Sequence, residues 1–129
     1  MVSVVVPTYN NSCNLVITIQ NILNQDIPIL EIVVVDDCST DDTFNQIKML
    51  DCANIKYYKN KKNIGSTMSR IIGIKKSSYQ YIAFLDDDDF WPSNKLKKQL
   101  NIIKNNICDF VMCNYIVNNS IDKKQYEKK

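Results

Sequence analysis

Histidine is absent from all 129 residues. That removes the Ser-His-Asp and Cys-His nucleophile systems and any imidazole base. Chemistry in this chain must rest on carboxylates, amides, hydroxyls, Lys and Arg side chains, and a metal. The five cysteines, Cys13, Cys38, Cys52, Cys108 and Cys113, are odd in number and contain no C-x-x-C pair. With no histidine to help, they argue against zinc and read as small hydrophobes in a reducing compartment. Glycine occurs twice, and G-x-G-x-x-G, the dinucleotide fingerprint, is missing. No apolar run approaches the roughly 20 residues of a transmembrane helix. The N-terminus enters Val2-Ser3-Val4-Val5-Val6 directly, without the basic region or cleavage site of a signal peptide. The expectation is a cytoplasmic chain, with a peripheral place on a membrane left open. A net charge of +2 is too small to speak for a nucleic-acid partner, and none is expected.

What is present is ordinary for a globular domain: 45% hydrophobic and 23% charged residues. The length suits one domain near the lower limit for a complete α/β enzyme. Val2 to Pro7 is a continuous β-branched run, as in a fully buried strand. Asn11-Ser12 can cap a helix through Leu15, Ile19, Ile22 and Leu23. Ile29 to Val35 reads as a second strand, and Ser39 or Thr40 can cap a helix beginning Asp41-Asp42 with Phe44, Ile47 and Leu50 on one face. Ile55 to Tyr58 is a short strand near an edge. Gly65 opens a helix through Met68, Ile71, Ile72 and Ile74. Tyr79 to Leu85 is a fourth strand, Ser93 precedes a helix through Leu96, Leu100 and Ile103, and Asp109 to Ile116 is a fifth strand. Such alternation predicts an α/β fold, a mostly parallel sheet with helices on both faces. The domain is placed at residues 1–117, with 118–129 a polar, basic tail.

Ligands of open parallel sheets bind beyond the carboxyl ends of the strands. Polar clusters stand at those ends: Thr8-Tyr9-Asn10-Asn11 after the first strand, Asp36-Asp37 after the second, Asp86 to Asp89 after the fourth. Four successive carboxylates repel one another unless a cation compensates. A divalent ion such as Mg²⁺ or Mn²⁺ does so while bridging a carboxylate or two to substrate phosphates. Asp86 and Asp88 would face the same way if strand geometry continues into the run. Asp36 to Asp41 reads equally well as a turn with a helix cap, or as a carboxylate accepting a nucleobase N–H. Asn10 can cap the first helix or meet a ligand. Lys59, Lys61 and Lys62 fit a solvated loop better than a phosphate site.

Read together, these segments resemble the family 2 glycosyltransferases, which have the GT-A (Rossmann-like) fold. Val2 to Asn10 is similar to the family's opening strand. Val33 to Thr43 is similar to its second signature, with Cys38 where glycine is usual. Asn63-Ile64-Gly65, Arg70 and Gly73 are similar to its third, with Ile71 in place of an Asn. Tyr81 to Trp91 is similar to its metal motif. The resemblance implies that Thr8, Tyr9 and Asn10 line a nucleotide pocket and that Asp37, with Asp36 beside it, contacts the base. It places Arg70 near the diphosphate or sugar, Asp87 near the ribose or sugar, and Asp86 and Asp88 on Mn²⁺ or Mg²⁺. The implied activity is transfer of a hexose, by the family's habit inverting and from a UDP-sugar, to a glycan, lipid or protein acceptor.

The family draws its catalytic base, an Asp or Glu, from a segment well past the metal motif. Asp109, Asp122 and Glu127 do not stand in such a context, so the base is not expected in this chain. The expectation is a donor-binding half, truncated after about five strands. Two alternatives stand open at this point: completion of the site by a partner chain or a homo-oligomer, and a non-catalytic binding or interaction module. A nucleotidylyltransferase would need a Gly-rich, basic loop where Thr8 to Asn11 stand. A phospho-acceptor domain would need its acidic pair after the first strand.

Overall fold

The computed structural model describes residues 1–29, 31–105, 108–114, 116–118 and 125–127. Its elements in chain order are β1 (Val2–Thr8), α1 (Ser12–Leu23), β2 (Glu31–Asp36), α2 (Thr43–Met49), β3 (Ile55–Lys59), α3 (Ser66–Lys76), β4 (Tyr81–Phe84), α4 (Lys95–Asn105), β5 (Ile116–Asn118) and β6 (Gln125–Glu127). The first four strands form one sheet in the order β3-β2-β1-β4, with every pairing parallel. Residues Met1–Lys97 make one compact unit and Lys98–Lys129 a second.

The β-branched run of β1 forms the centre of this sheet, and all seven of its residues are buried. Because side chains alternate across a strand, Val2, Val4 and Val6 face one way and Val5 the other. The first set joins Ile32 and Val34 of β2, Leu15, Ile19 and Ile22 of α1, Ile47 of α2, and Leu85, Trp91 and Leu96. Val5 joins Val33 and Val35, against which Ile72 of α3 and Tyr58 pack. Helices therefore cover both faces, as the alternation predicts. Leu15, Ile19 and Ile22 are spaced at i, i+4 and i+7, which puts them on one side of α1.

α3 departs from its sequence reading. Of Met68, Ile71, Ile72 and Ile74, Ile72 packs on the core but the other three are exposed, while Ser69 and Gly73 are buried. Small residues win here because the helix lies close on the sheet. A Cβ added at Gly73 would stand 2.2 Å from Val5 Cγ1. The cap of the second helix also differs. α2 starts at Thr43 with Asp42 at the N-cap position and no side-chain capping bond, in place of the Ser39 or Thr40 cap expected; Asp41, one residue further out, accepts from Thr43 N–H at 3.1 Å.

The expected fifth strand over Asp109 to Ile116 is not in the sheet. Its residues 109–114 take no strand conformation, and Val111 O accepts from the Gln99 side chain at 3.3 Å in place of a ladder bond. Ile116–Asn118 instead pairs antiparallel with Gln125–Glu127, within the segment read as a tail. Leu30 and Asp122 lie outside the described residues.

At the amino end of the sheet, Glu31 is buried but charged. It accepts from the Ser3 hydroxyl, from Ser78 N–H at 2.8 Å, and from Lys56 Nζ at 2.5 Å. Burial pushes its carboxyl up, but Lys56, Ser3 and Ser78 outweigh it and hold the group at about 2, against an ordinary 4.5. This network ties the approach to β4 onto β1 and β2.

Candidate functional site

Parallel pairing sets the carboxyl ends of β1, β2 and β4 on one rim. Thr8 is in register with Asp36, and β4 beside β1 delivers the chain into Asp86 to Asp89. A cleft of about 240 Å³ opens there, lined by Pro7, Thr8, Tyr9, Asp37, Ser66, Arg70, Asp86, Asp87 and Asp88. Seven of the nine residues expected at a site thus converge on one surface.

The other two, Asn10 and Asp36, do not line it. Asn10 neither caps α1 nor faces the cleft. At φ 50 it takes a left-handed turn, donates its N–H to Ser39 Oγ at 2.9 Å, and accepts from Thr40 N–H at 2.7 Å. It stitches the loop after β1 to the loop after β2. Asp36 is fully buried and accepts from Ser39 N–H at 2.7 Å and from the Tyr57 hydroxyl. Burial and that bond to Asp36 push the Tyr57 phenol well above its ordinary value. Cys38 sits at φ 72, a conformation that glycine adopts freely and other residues adopt at a cost.

Asp37 lies in the cleft wall and organises it. Oδ1 accepts from Asn60 Nδ2 at 2.8 Å and Ile64 N–H at 2.9 Å. Oδ2 accepts from Gly65 N–H at 2.7 Å. Burial pushes this carboxyl up, but Asn60, Ile64 and Gly65 prevail and hold it below the usual carboxylate range. Gly65 has φ +88, which a residue with a side chain resists. Asp37 and Gly65 together fix the start of α3, whose first two turns carry Ser66 and Arg70 to the cleft.

The acidic run is a turn, not an extension of β4. Asp89 N–H donates to Asp86 O at 3.1 Å, so strand alternation does not govern where Asp86 and Asp88 point. Both still line the cleft, because the turn presents three successive carboxylates to it. Asp87 Oδ2 accepts from the Thr8 hydroxyl at 2.6 Å, and Asp86 Oδ1 pairs with the Arg70 guanidinium. Partial desolvation, then the charges of Asp88 and Asp86, raises Asp89 above the usual carboxylate range. Lys59 is turned away: its ammonium donates to Ser39 O at 2.7 Å. Lys59, Lys61 and Lys62 are not in the cleft lining.

Among the described residues, no three His, Cys, Asp or Glu side chains converge as a ready-made metal cage. Mg²⁺ and Mn²⁺ do not require one. They are commonly held by one or two carboxylates, with phosphate oxygens and water completing the shell. The hard oxygen donors of Asp86 and Asp88 fit that mode.

Comparison with known proteins places this arrangement. The model of glycosyl transferase family 2 matches residues 3–129. The chain belongs to glycosyl transferase family 2. The UDP-Glc:alpha-D-GlcNAc-diphosphoundecaprenol beta-1,3-glucosyltransferase WfaP of Escherichia coli is 32% identical over 117 residues, covering 91% of this chain and 47% of that protein. TarS 1-349 of S. aureus, solved in complex with UDP-GlcNAc, superposes with a TM-score of 0.72 at 31% identity, over 81% of this chain and 31% of that one. The mannosyltransferase PcManGT of Pyrobaculum calidifontis, solved with GDP-Man and Mn²⁺, gives 0.68 at 27% identity, over 73% of this chain and 29% of that one. The four-stranded parallel sheet with helices on both faces is the α/β arrangement of GT-A glycosyltransferases. This chain spans about half the length of the curated relative.

In this family 2 chain, three further residues hold the site, and the sequence reading passed over them. Thr18 Oγ1 donates to Asp87 O at 3.0 Å. Asn21 makes a reciprocal pair with Trp91, donating to its carbonyl at 2.9 Å and accepting from its N–H at 2.8 Å. Gln25 donates to Pro92 O at 3.0 Å and accepts from Leu96 N–H at 3.2 Å. All three are buried. Their signal was present: polar residues at i, i+3 and i+7, with Thr18 and Asn21 interleaved among Leu15, Ile19 and Ile22 on the buried side of α1 and Gln25 just past its end. They fasten the segment after the acidic turn to the core.

Proposed function

We propose that this chain is the donor-binding part of a glycosyltransferase that holds a nucleotide-diphospho-sugar, of the UDP class, in the cleft at the carboxyl ends of β1 and β4. The observation that carries the proposal is the convergence there of Thr8, Tyr9, Asp37, Ser66, Arg70 and Asp86 to Asp88. The names of WfaP and of the TarS complex both specify a UDP-sugar, which favours uridine over guanosine.

In this reading the exposed Tyr9 ring and the Asp37 side of the cleft receive the nucleoside, and Asp87 approaches the ribose or sugar. Arg70 supplies the positive charge that meets the diphosphate. Asp86 and Asp88 would hold Mn²⁺ or Mg²⁺, which when bound neutralises charge on the departing nucleoside diphosphate. Asn10 and Asp36 contribute by fixing the two loops of the rim, and Thr18, Asn21 and Gln25 by fixing the acidic turn. The acceptor is a glycan or a lipid-linked or protein-borne sugar. A cytoplasmic chain working beside a membrane suits a lipid-linked acceptor like the one in WfaP's name, and no helix among the described residues is long and apolar enough to cross one.

Calorimetric titration of the chain with UDP tests the proposal. Binding is expected with Mn²⁺ or Mg²⁺ and should be lost with chelator or in Asp88→Ala. Equal binding with and without the ion would contradict the metal role, and no binding under either condition would contradict the donor site.

A further inference from the structure

Among the described residues Arg70 is the one cationic side chain in the cleft lining, and its charge is already engaged. Its guanidinium pairs with Asp86 Oδ1, while a second nitrogen lies 3.4 Å from Ser66 Oγ, one turn earlier on α3. The two side chains are 31% and 45% exposed, so the pair is open to competition from solutes. Thr8 occupies one oxygen of the neighbouring Asp87. Asp86 is therefore a carboxylate with a resident internal cation, in the turn that the donor-site reading gives to a divalent ion.

We propose that Arg70 is a displaceable counter-cation for Asp86, handed over to the donor diphosphate when the ion arrives, so that diphosphate and ion bind cooperatively. The inference rests on the donor-site reading above and concerns how its parts are coupled. Before a diphosphate binds, Asp86 could take a divalent ion only by giving up its Arg70 pair, and the unpaired guanidinium would then repel that ion. A diphosphate reverses both effects. Its oxygens match the guanidinium fork better than one carboxylate oxygen does. Arg70 turns to the phosphate on its flexible stem and frees Asp86, which would then be available to hold the ion with the phosphates. By linkage, whatever the diphosphate does for the ion, the ion does equally for the diphosphate.

Removing Arg70 should therefore strengthen the binding of metal alone while weakening the binding of UDP. An exposed pair of this kind corresponds to roughly a two- to five-fold change in affinity. The test is Mn²⁺ binding to the full chain, read by electron paramagnetic resonance of free Mn²⁺ with and without UDP. Wild type is compared with Arg70→Ala, Arg70→Lys and Lys75→Ala. Arg70→Ala should bind Mn²⁺ alone roughly two- to five-fold more tightly and lose at least about half of the UDP-dependent enhancement. Arg70→Lys keeps the charge without the fork. It should bind Mn²⁺ alone like wild type, with a reduced enhancement, and it serves if the alanine variant does not fold. Lys75→Ala removes the same charge from α3 away from the cleft and should change neither quantity.

Unchanged or weaker Mn²⁺ binding by Arg70→Ala, or an equal gain in Lys75→Ala, would overturn the inference and leave the donor site standing. Failure of wild type to bind UDP or Mn²⁺ at all would overturn the donor-site reading, and the inference would fall with it.

Discussion

Gly73 gives the sharpest test of how the fold aims the site, because a single methyl group there sets two effects against each other. In an exposed helix, replacing glycine with alanine stabilises by about 1 kcal/mol. At position 73 the new Cβ would lie 2.2 Å from Val5 Cγ1, 3.2 Å from Cγ2 and 3.3 Å from Cβ. Carbon atoms pack at about 3.5–4.0 Å, so more than about 1 Å must be recovered. Val5 is fully buried in the central strand, and its branched side chain has few rotamers to escape into. The helix must move instead. Overpacking of this kind costs about 1–3 kcal/mol. Net of the helical gain, Gly73→Ala should destabilise the chain by up to about 2 kcal/mol. Ser66 and Arg70 ride on the same helix, so UDP affinity should fall as well. Urea unfolding of wild type, Gly73→Ala, Val5→Ala and the double variant measures the effect. Because Val5→Ala removes the opposing methyls, the two changes should combine to less than their sum by at least about 1 kcal/mol. A Gly73→Ala protein that is more stable than wild type, or strict additivity, would refute the close approach of α3 to β1.

Two further outcomes concern stability. The Glu31 carboxyl is held at about 2 in the folded chain, against an ordinary 4.5. Its stabilisation of about 3 kcal/mol is therefore complete above pH 4.5 and is lost as the pH falls from there toward 2. Glu31→Gln should lower neutral stability by about 1–3 kcal/mol and flatten that acid slope in urea midpoints against pH; an unchanged slope would remove Glu31 as its source. Cys38→Gly should raise the unfolding free energy by about 0.5–1 kcal/mol, because it relieves the left-handed strain at φ 72; a loss of stability would show that the thiol's packing outweighs the backbone.

Most of the parallel sheet was legible because its central strands β1 and β2 are continuous, β-branched-rich runs buried along their whole length, and because the polar clusters stand at the strand ends. The site was legible for the same reason, since parallel strands bring Thr8, Asp37 and Asp86 to one rim. What was hidden depends on contacts distant in sequence. Nothing local says that Asn10 spends its amide oxygen on Thr40, or that Asp37 spends both oxygens on the Asn60 to Gly65 loop. The exposed isoleucines of α3 misled because Gly73 and Ser69 pack by being small, which a count of apolar residues cannot register. The expected fifth strand failed because an apolar run such as Phe110 to Cys113 makes a strand only where a ladder partner exists, and residues 109–114 take no strand conformation.

The central claim is that the cleft formed by Thr8, Tyr9, Arg70 and Asp86 to Asp88 holds a nucleoside diphosphate through a divalent ion. Paramagnetic broadening of backbone amide resonances tests it residue by residue. With UDP present, substoichiometric Mn²⁺ should bleach the signals of residues 8–9 and 86–88, and those of Ser66 and Arg70 less strongly. Ser3, Glu31 and Ser78, at the opposite end of the sheet, should stay sharp. Broadening centred on those residues, or no UDP-dependent broadening of 86–88, would contradict the claim.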